Sequence, residues 1–452
     1  MGGLQLARDF DKLHLTTIMC GAGRGGPCPA TGSVMELLNS TLTVVLAGGV
    51  GSRLAPLTAD RAKPAVPFGG IYRIIDFTLS NCLHSGLRRI LVLTQYKSHS
   101  LQKHLRDGWT IFNPEIGEFI TTVPAQMRVG EGWYAGTADA IRQNRYLLER
   151  SGATHLLVLA GDHIYRMDYA RILEEHVRHK WEVTVACVPV PLGEAHAFGV
   201  VETDDNLGIR QFVEKSDHPP SMPDDPARAL ASMGIYVFNL NFLLKLLDLN
   251  HESGSPKDDF GRHILPSLVG AHAMGVYRFG KMEGRVTPDG YWRDVGTLDA
   301  YFEANMDLLK PLPPLNLYQK DWPIRTYHAQ HPPARNVPSS VDAEGDAGRN
   351  GSGKVANTLL AGGDVIIGAT LLHSILSPDV WINAGAIVED AILFENVTVG
   401  SGARLKRCIV DKSVTIPPNE TIGWDLERDR SRFTVSEGGV VVVPKEYRFD
   451  VS

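Results

Sequence analysis

Three cations follow a run of glycines in VVLAGGVGSRLAPLTADRAKPAV, Val44 to Val66: Arg53, Arg61 and Lys63. Glycines with no side chain let backbone N–H groups come close to a bulky anion, and the guanidinium of Arg forks onto phosphate oxygens where Lys acts as a point charge. Each charge-assisted bond of this kind is worth roughly 1.5–3 kcal/mol. The combination suits a polyphosphate whose charge is held during reaction. A second cluster is acidic: Asp162 closes the apolar run of THLLVLAGD, and a carboxylate at a strand end is a natural Mg²⁺ ligand.

Two familiar phosphate loops are excluded. GGVGSRL has Leu54 where G-x-G-x-x-G needs its last glycine, so a dinucleotide fingerprint is not formed. The one Gly-Lys pair suited to a P-loop, GSGKV, continues with Val355 instead of Ser or Thr. His163, beside Asp162, reads as a hydrogen-bonded strand-end histidine, because a phosphate monoester is already anionic and needs no base.

These residues must be positioned by the elements around them. Leu42–Ala47, Arg88–Tyr96, Thr154–Asp162, Val183–Val190 and Ser232–Asn239 are β-branched or aliphatic runs of strand length, and Ala138–Gly152 and Tyr169–Lys180 carry helical periodicity. The alternation predicts a doubly wound, mostly parallel α/β sheet with its ligand at the carboxyl ends of the strands. After about Lys310 the composition turns to Pro, Gly, Ser and Asp, which predicts a linker over 313–358 with a mobile part at NVPSSVDAEGDAGRNGSGK. Beyond it, Val380, Ala386, Ile392, Thr398, Arg404 and Val410 recur every six residues, the spacing of hexapeptide repeats in a parallel β-helix over 359–452, with Thr398 and Arg404 breaking the aliphatic pattern.

At 452 residues, 43% hydrophobic and 21% charged, the chain has the composition of a soluble protein of two or three domains, and a net charge of −6 argues against a general nucleic-acid binder. Five cysteines at unrelated spacings indicate neither a disulfide framework nor a zinc site, and a cytoplasmic location is expected. No apolar run reaches the roughly 20 residues of a membrane span. Residues 1–38 lack a signal-peptide core and read as a disordered leader, with Met35 as an alternative start.

L-x-G-G-x-G-x-R-L-x-x-L-T-x-x-R-A-K-P-A-V resembles the signature of the sugar-1-phosphate nucleotidyltransferases, and its RAKPAV form is similar to their ADP-glucose pyrophosphorylase branch. FGGIYRIIDFTLSNCLHSG, WYAGTADAIRQN, LAGDHIYRMDY, FVEK, LASMGIYVF, DFGRHILP and YWRDVGTLDAYFEANMDL resemble further blocks of that branch, in its order, from about Leu42 to about Phe433. The resemblance implies a nucleotidyltransferase domain over 39–312 followed by a left-handed parallel β-helix. It implies transfer of adenylate from ATP to glucose 1-phosphate with Mg²⁺, giving ADP-glucose and pyrophosphate for glycogen synthesis, in a homotetramer under allosteric control. By the same resemblance Arg53, Lys63, Asp162 and Lys215 are catalytic, and Gly48, Gly49, Gly51, Ser52 and Gly136 join Arg53 and Lys63 around ATP. Tyr134, Gly199, Glu214, Lys215, Ser232 and Tyr236 surround glucose 1-phosphate, while Asp162 and Asp294 hold the metal.

The chain departs from the branch where effectors bind. Relatives often have Arg at the position of Val50, and those activated by fructose 1,6-bisphosphate carry Lys at that of Asp60 and basic groups near Pro67; SRFTVSE offers only Arg432. The expectation is a weakened or replaced fructose 1,6-bisphosphate response, with Arg61, Arg73, Arg404, Lys406 and Arg407 as anion contacts. Two other functions stay open: a sister enzyme using another nucleotide or sugar, and a non-catalytic regulatory subunit. A β-helix acyltransferase would need a catalytic histidine in its rungs, and His373 is the one histidine after His331.

Overall fold

The computed structural model describes residues 31–126, 133–252, 259–280, 290–338 and 353–450. Residues 1–30 of the leader expected over 1–38, and 339–352 of the stretch expected to be mobile, lie outside the described residues. From Thr31 on, the expected disorder is not found: Thr31–Asn39 is a helix whose Leu38 is buried against the sheet.

Thr41–Ala47 is the central strand, buried on both faces, as its unbroken apolar and threonine run requires. It pairs in parallel with Arg89–Thr94 on one side and His155–Ala160 on the other, with Val44 beside both Leu91 and Val158. The chain thus leaves the central strand first toward one edge and later toward the other, which opens a crevice at the carboxyl ends. Phe119–Pro124 extends the parallel half. From His155–Ala160 outward the sheet is mixed: Arg228–Asn239 runs antiparallel to it and carries Val183–Pro191 and Gly199–Thr203, for nine strands in all. The predicted strands are all present, and Arg228–Asn239 starts four residues before its predicted Ser232. The predicted helix over 138–152 is two short ones, Thr137–Gln143 and Arg145–Arg150, interrupted at Asn144.

The stretch predicted as a linker packs instead. Leu315, Trp322 and Ile324 are buried, and the Trp322 indole donates to Asn81 Oδ1 at 3.1 Å. Arg335–Val337 already lies parallel to Val365–Ile367, so the β-helix begins before residue 359. Its coils stack three aliphatic columns, Ile366/Ile382/Val399/Ile416, Leu371/Val388/Leu405/Ile422 and Ile375/Ile392/Ile409/Val442. Trp381 pairs with Thr398 and Thr398 with Thr415, a step of 17 residues. Three sixes would give 18, so a strict spacing of six slides off the core by one residue per coil. The inward places next to Thr398 and Arg404 are filled by Val397, Val399, Ala403 and Leu405, all fully buried. The third column packs with Phe68, Tyr301 and Phe302 of the catalytic domain in one apolar cluster.

One ion pair crosses that junction. Arg61 Nη2 reaches both oxygens of Asp411, at 2.8 and 3.0 Å, and both side chains are buried. Removing one partner leaves the other charge buried and uncompensated. Asp411→Ala is therefore expected to lower unfolding stability by about 3–5 kcal/mol, read as a drop in denaturant midpoint.

Candidate active site

The crevice holds a cleft of about 620 Å³ bordered by the ends of three central strands. Gly48 follows Ala47, Gln95 follows Thr94, and Asp162 lies two residues past Ala160. Gly51 takes φ +64°, and a Cβ there would stand 3.1 Å from Lys63 Cβ and 3.2 Å from Thr58 Cγ2. Glycine at this position thus serves both the turn and the close approach of the lysine segment. Thr58 closes the turn by donating to Gly51 O at 2.9 Å, and buried Leu54 and Leu57 anchor it.

The two carboxylates are joined by a small ribbon in which His163–Tyr165 pairs antiparallel with Trp292–Asp294, setting Asp294 beside His163. Lys63 Nζ donates to Asp162 Oδ2 at 2.8 Å and to Asp294 Oδ1 at 3.0 Å. Burial pushes the Asp162 carboxyl up, but Lys63 and then His163 outweigh it and hold it down at about 2. Burial lowers the Lys63 ammonium, yet Asp162 and Asp294 together leave it above the ordinary lysine value. Gly296 adds room at the same point: a Cβ there would meet the Asp294 oxygens at 3.0 Å and an Arg53 Nη2 at 3.1 Å. Arg53, Lys63, Asp162 and Asp294, far apart in sequence, therefore converge.

One ligand atom from each of Asp162, His163 and Asp294 lies within 4.8 Å of the others. Two carboxylates are the hard oxygen donors that Mg²⁺ prefers, so the residues present fit that ion. His163 differs from the hydrogen-bonded reading: its buried Nδ1 has no partner among the described residues, its ring packs edge-on to Trp292 at 5.0 Å, and its Nε2 faces the two carboxylates at 3.6 and 3.8 Å.

Gly48, Gly49, Gly51, Ser52, Arg53, Lys63 and Gly136 all border the cleft, as do Tyr134, Glu214 and Tyr236. Glu214 is wedged where neither Gly199 nor Gly261 has space for a Cβ, at 2.6 and 2.8 Å from its Oε2. Burial raises its pKa, with Lys215 opposing and Asp259 adding. Gly199 thus packs behind Glu214 and Lys215 stands half-exposed beside it, 3.7 Å from Glu214 Oε1, in left-handed backbone with φ 50°; neither Gly199 nor Lys215 lines the cleft. Ser232 is not brought to the wall; its Oγ accepts from Gly234 N at 3.4 Å within its own strand. Gln95 and Asp259 are among the wall residues that escaped the sequence reading. Gln95 Oε1 accepts from Tyr134 N at 3.1 Å, and Asp259 Oδ2 accepts from Thr137 Oγ1 at 3.2 Å. Gln95 lies at the end of the predicted strand Arg88–Tyr96 and Asp259 opens the family block DFGRHILP, which were the available signals.

The residues expected to contact effectors disperse. Arg73 lines a second cavity, between the domains, whereas Arg61 is buried in its pair with Asp411. Arg404 and Lys406 lie over the Trp424 ring at 4.1 and 4.9 Å, and Arg407 over Phe302 at 5.2 Å, none of them on that cavity's wall. Asp60 is exposed and also off the wall, and Arg432 is engaged by Glu420 and Asp429. His373 pairs with Asp390 at 2.6 Å.

Residues 42–311 match the family model described as nucleotidyl transferase, and 332–443 match a GlmU-like C-terminal hexapeptide model. The chain belongs to the nucleotidyl transferase family. Proteins named glucose-1-phosphate adenylyltransferase 2 are similar to it, at 56% identity from Vibrio cholerae and 57% from Vibrio parahaemolyticus, covering 91% of this chain and 99% and 100% of theirs. A glucose-1-phosphate adenylyltransferase of Methylobacillus flagellatus is 47% identical over 91% of this chain and 94% of its own. No helix among the described residues is long and apolar enough to cross a membrane. In this nucleotidyltransferase, Gly51→Ala strains a left-handed turn and pushes on Lys63, so kcat/KM is expected to fall at least about tenfold with an unchanged circular dichroism spectrum.

Proposed function

We propose that the protein is a glucose-1-phosphate adenylyltransferase, joining ATP and α-D-glucose 1-phosphate into ADP-glucose and pyrophosphate. The observation that carries this reading is the convergence of Lys63, Asp162, Asp294 and Arg53 at a cleft whose wall also presents Tyr134, Glu214 and Tyr236. A phosphate oxygen of the sugar phosphate attacks the α-phosphorus, a new P–O bond forms, and the bond to pyrophosphate breaks. No side chain need act as nucleophile or base, so positioning and charge neutralisation supply the catalysis. Arg53 and Lys63 hold the phosphates that carry the developing charge. Glu214 and Tyr236 offer the acceptors and donors that a polyol can match, because each sugar hydroxyl both donates and accepts. Mg²⁺, held by Asp162 and Asp294, would draw charge off the phosphates.

We also infer a homotetramer working in the cytoplasm and answering to anionic metabolites. The interdomain cavity, of about 240 Å³ and carrying Arg73 and Lys412, favours the last of these. One anhydride is broken and one made, so the step runs close to equilibrium and is a fitting point of control.

A panel of nucleoside triphosphates and sugar phosphates, scored by pyrophosphate release, tests the assignment: ATP with glucose 1-phosphate is expected to be the best pair, and a better pair would replace the reading with a sister enzyme. Lys215→Gln is expected to raise KM for glucose 1-phosphate about 10–100-fold, the weight of one charge-assisted contact, and to leave KM for ATP unchanged.

A further inference from the structure

The interdomain cavity is built around charge. Its walls come from the Pro67–Arg73 turn of the catalytic domain, the Tyr327–His331 stretch, and β-helix corners that include Glu395 and Lys412. Arg73 and Lys412 are cations in largely buried surroundings; burial pushes both below their ordinary pKa values, and Arg73 pushes Lys412 down further. Arg73 Nη1 spends one donor on Ala65 O at 2.5 Å. Glu395 is the one carboxylate on the wall, and it forms a direct ion pair with Lys412. Burial raises the Glu395 carboxyl, but Lys412, Arg73 and His331 together bring it below the ordinary value, so it is ionised. A partly buried pair of cations facing a cavity is the recognition chemistry of a phosphate group, and here a carboxylate already occupies it.

We propose that Glu395 is the resident counter-ion of an anion site: its carboxylate holds Lys412 where a phosphate group of a metabolite would bind, so such a ligand enters only by displacing it. Glu395 thereby sets the phosphate concentration at which the cavity fills. The proposal rests on the reading of the protein as a regulated adenylyltransferase only for its consequence, not for the binding itself. That consequence has a short route. Lys412 follows Asp411, its backbone N–H donates to Asp411 Oδ1 at 2.7 Å, and Asp411 grips Arg61, two residues before Lys63. Ala65, whose carbonyl Arg73 holds, lies two residues after Lys63. Both cations of the cavity therefore bear on the segment that carries the site lysine.

The test is calorimetric titration of inorganic phosphate into the full chain, as wild type, Glu395→Gln, and Glu395→Gln with Lys412→Met. Freeing Lys412 from its internal partner is expected to tighten phosphate binding by at least about tenfold in Glu395→Gln, the weight of one charge-assisted bond, and the added Lys412→Met should abolish that gain. The double variant separates this cavity from any phosphate bound in the catalytic cleft. Should Glu395→Gln not fold, Glu395→Asp, which shortens the side chain by one methylene, is expected to give a smaller gain. Equal phosphate affinity in wild type and in the folded variant, or a gain that survives Lys412→Met, overturns the proposal. Pyrophosphate release measured on the same samples tells the two readings apart. A gain in binding with no effect of phosphate on turnover keeps Glu395 as counter-ion and removes regulation, and absence of turnover in every sample removes the adenylyltransferase reading while the binding result stands.

Discussion

The structure depends on keeping one ammonium, that of Lys63, between two carboxylates at the open edge of a buried sheet. Lys63 is nearly enclosed, and a lone charge so placed would be neutralised by its desolvation. Asp162 and Asp294 keep it charged, and it in turn keeps Asp162 ionised to about pH 2. Each partner arrives by a different route: the lysine from the loop after the central strand, Asp162 from the neighbouring strand, and Asp294 from the ribbon that pairs with His163–Tyr165. The small residues around them, Gly51 and Gly296, are what allow three such segments to approach.

The lysine segment is also where the two domains meet. Within Arg61–Ala65 the chain supplies an ion pair to the β-helix, the site lysine, and a carbonyl held by Arg73. A β-helix is a rigid stack with little freedom to deform within a coil, and its third aliphatic column is continuous with the catalytic core through Phe302 and Tyr301. The corner carrying Asp411 and Lys412 is tied to the Arg61 end of the segment by that ion pair. A coupling free energy between cavity and cleft needs such a shared element.

Much of the catalytic half was legible in the sequence because its signals are local. A fully buried strand shows as an unbroken apolar run, as Thr41–Ala47 and His155–Ala160 do, and a carboxylate or glycine just past such a run falls at the ligand edge of an open sheet. Asp294 is different: only its family block pointed to it, since nothing near Trp292–Asp294 shows that it will pair with His163–Tyr165. The β-helix was legible as a repeat, but the one residue lost per coil hid which side of Thr398 and Arg404 faces inward. The packed segment through Trp322 read as a linker because its prolines and polar residues mask three buried anchors. The interdomain cavity was legible only at Arg73. Lys412 and Glu395 lie one coil apart on the β-helix and more than 300 residues from Arg73, and no local spacing brings them together.

The central claim is that Lys63 and the carboxylates it bridges act as one unit. A double-mutant cycle of Lys63→Met and Asp162→Asn, scored as kcat/KM for ATP at saturating glucose 1-phosphate, tests it most directly. The account predicts strong non-additivity, with the double variant no slower than the slower single variant, because either change already dismantles the unit. Losses that multiply, so that the double variant is slower by the product of the two single effects, would show that the two groups act independently and would contradict it.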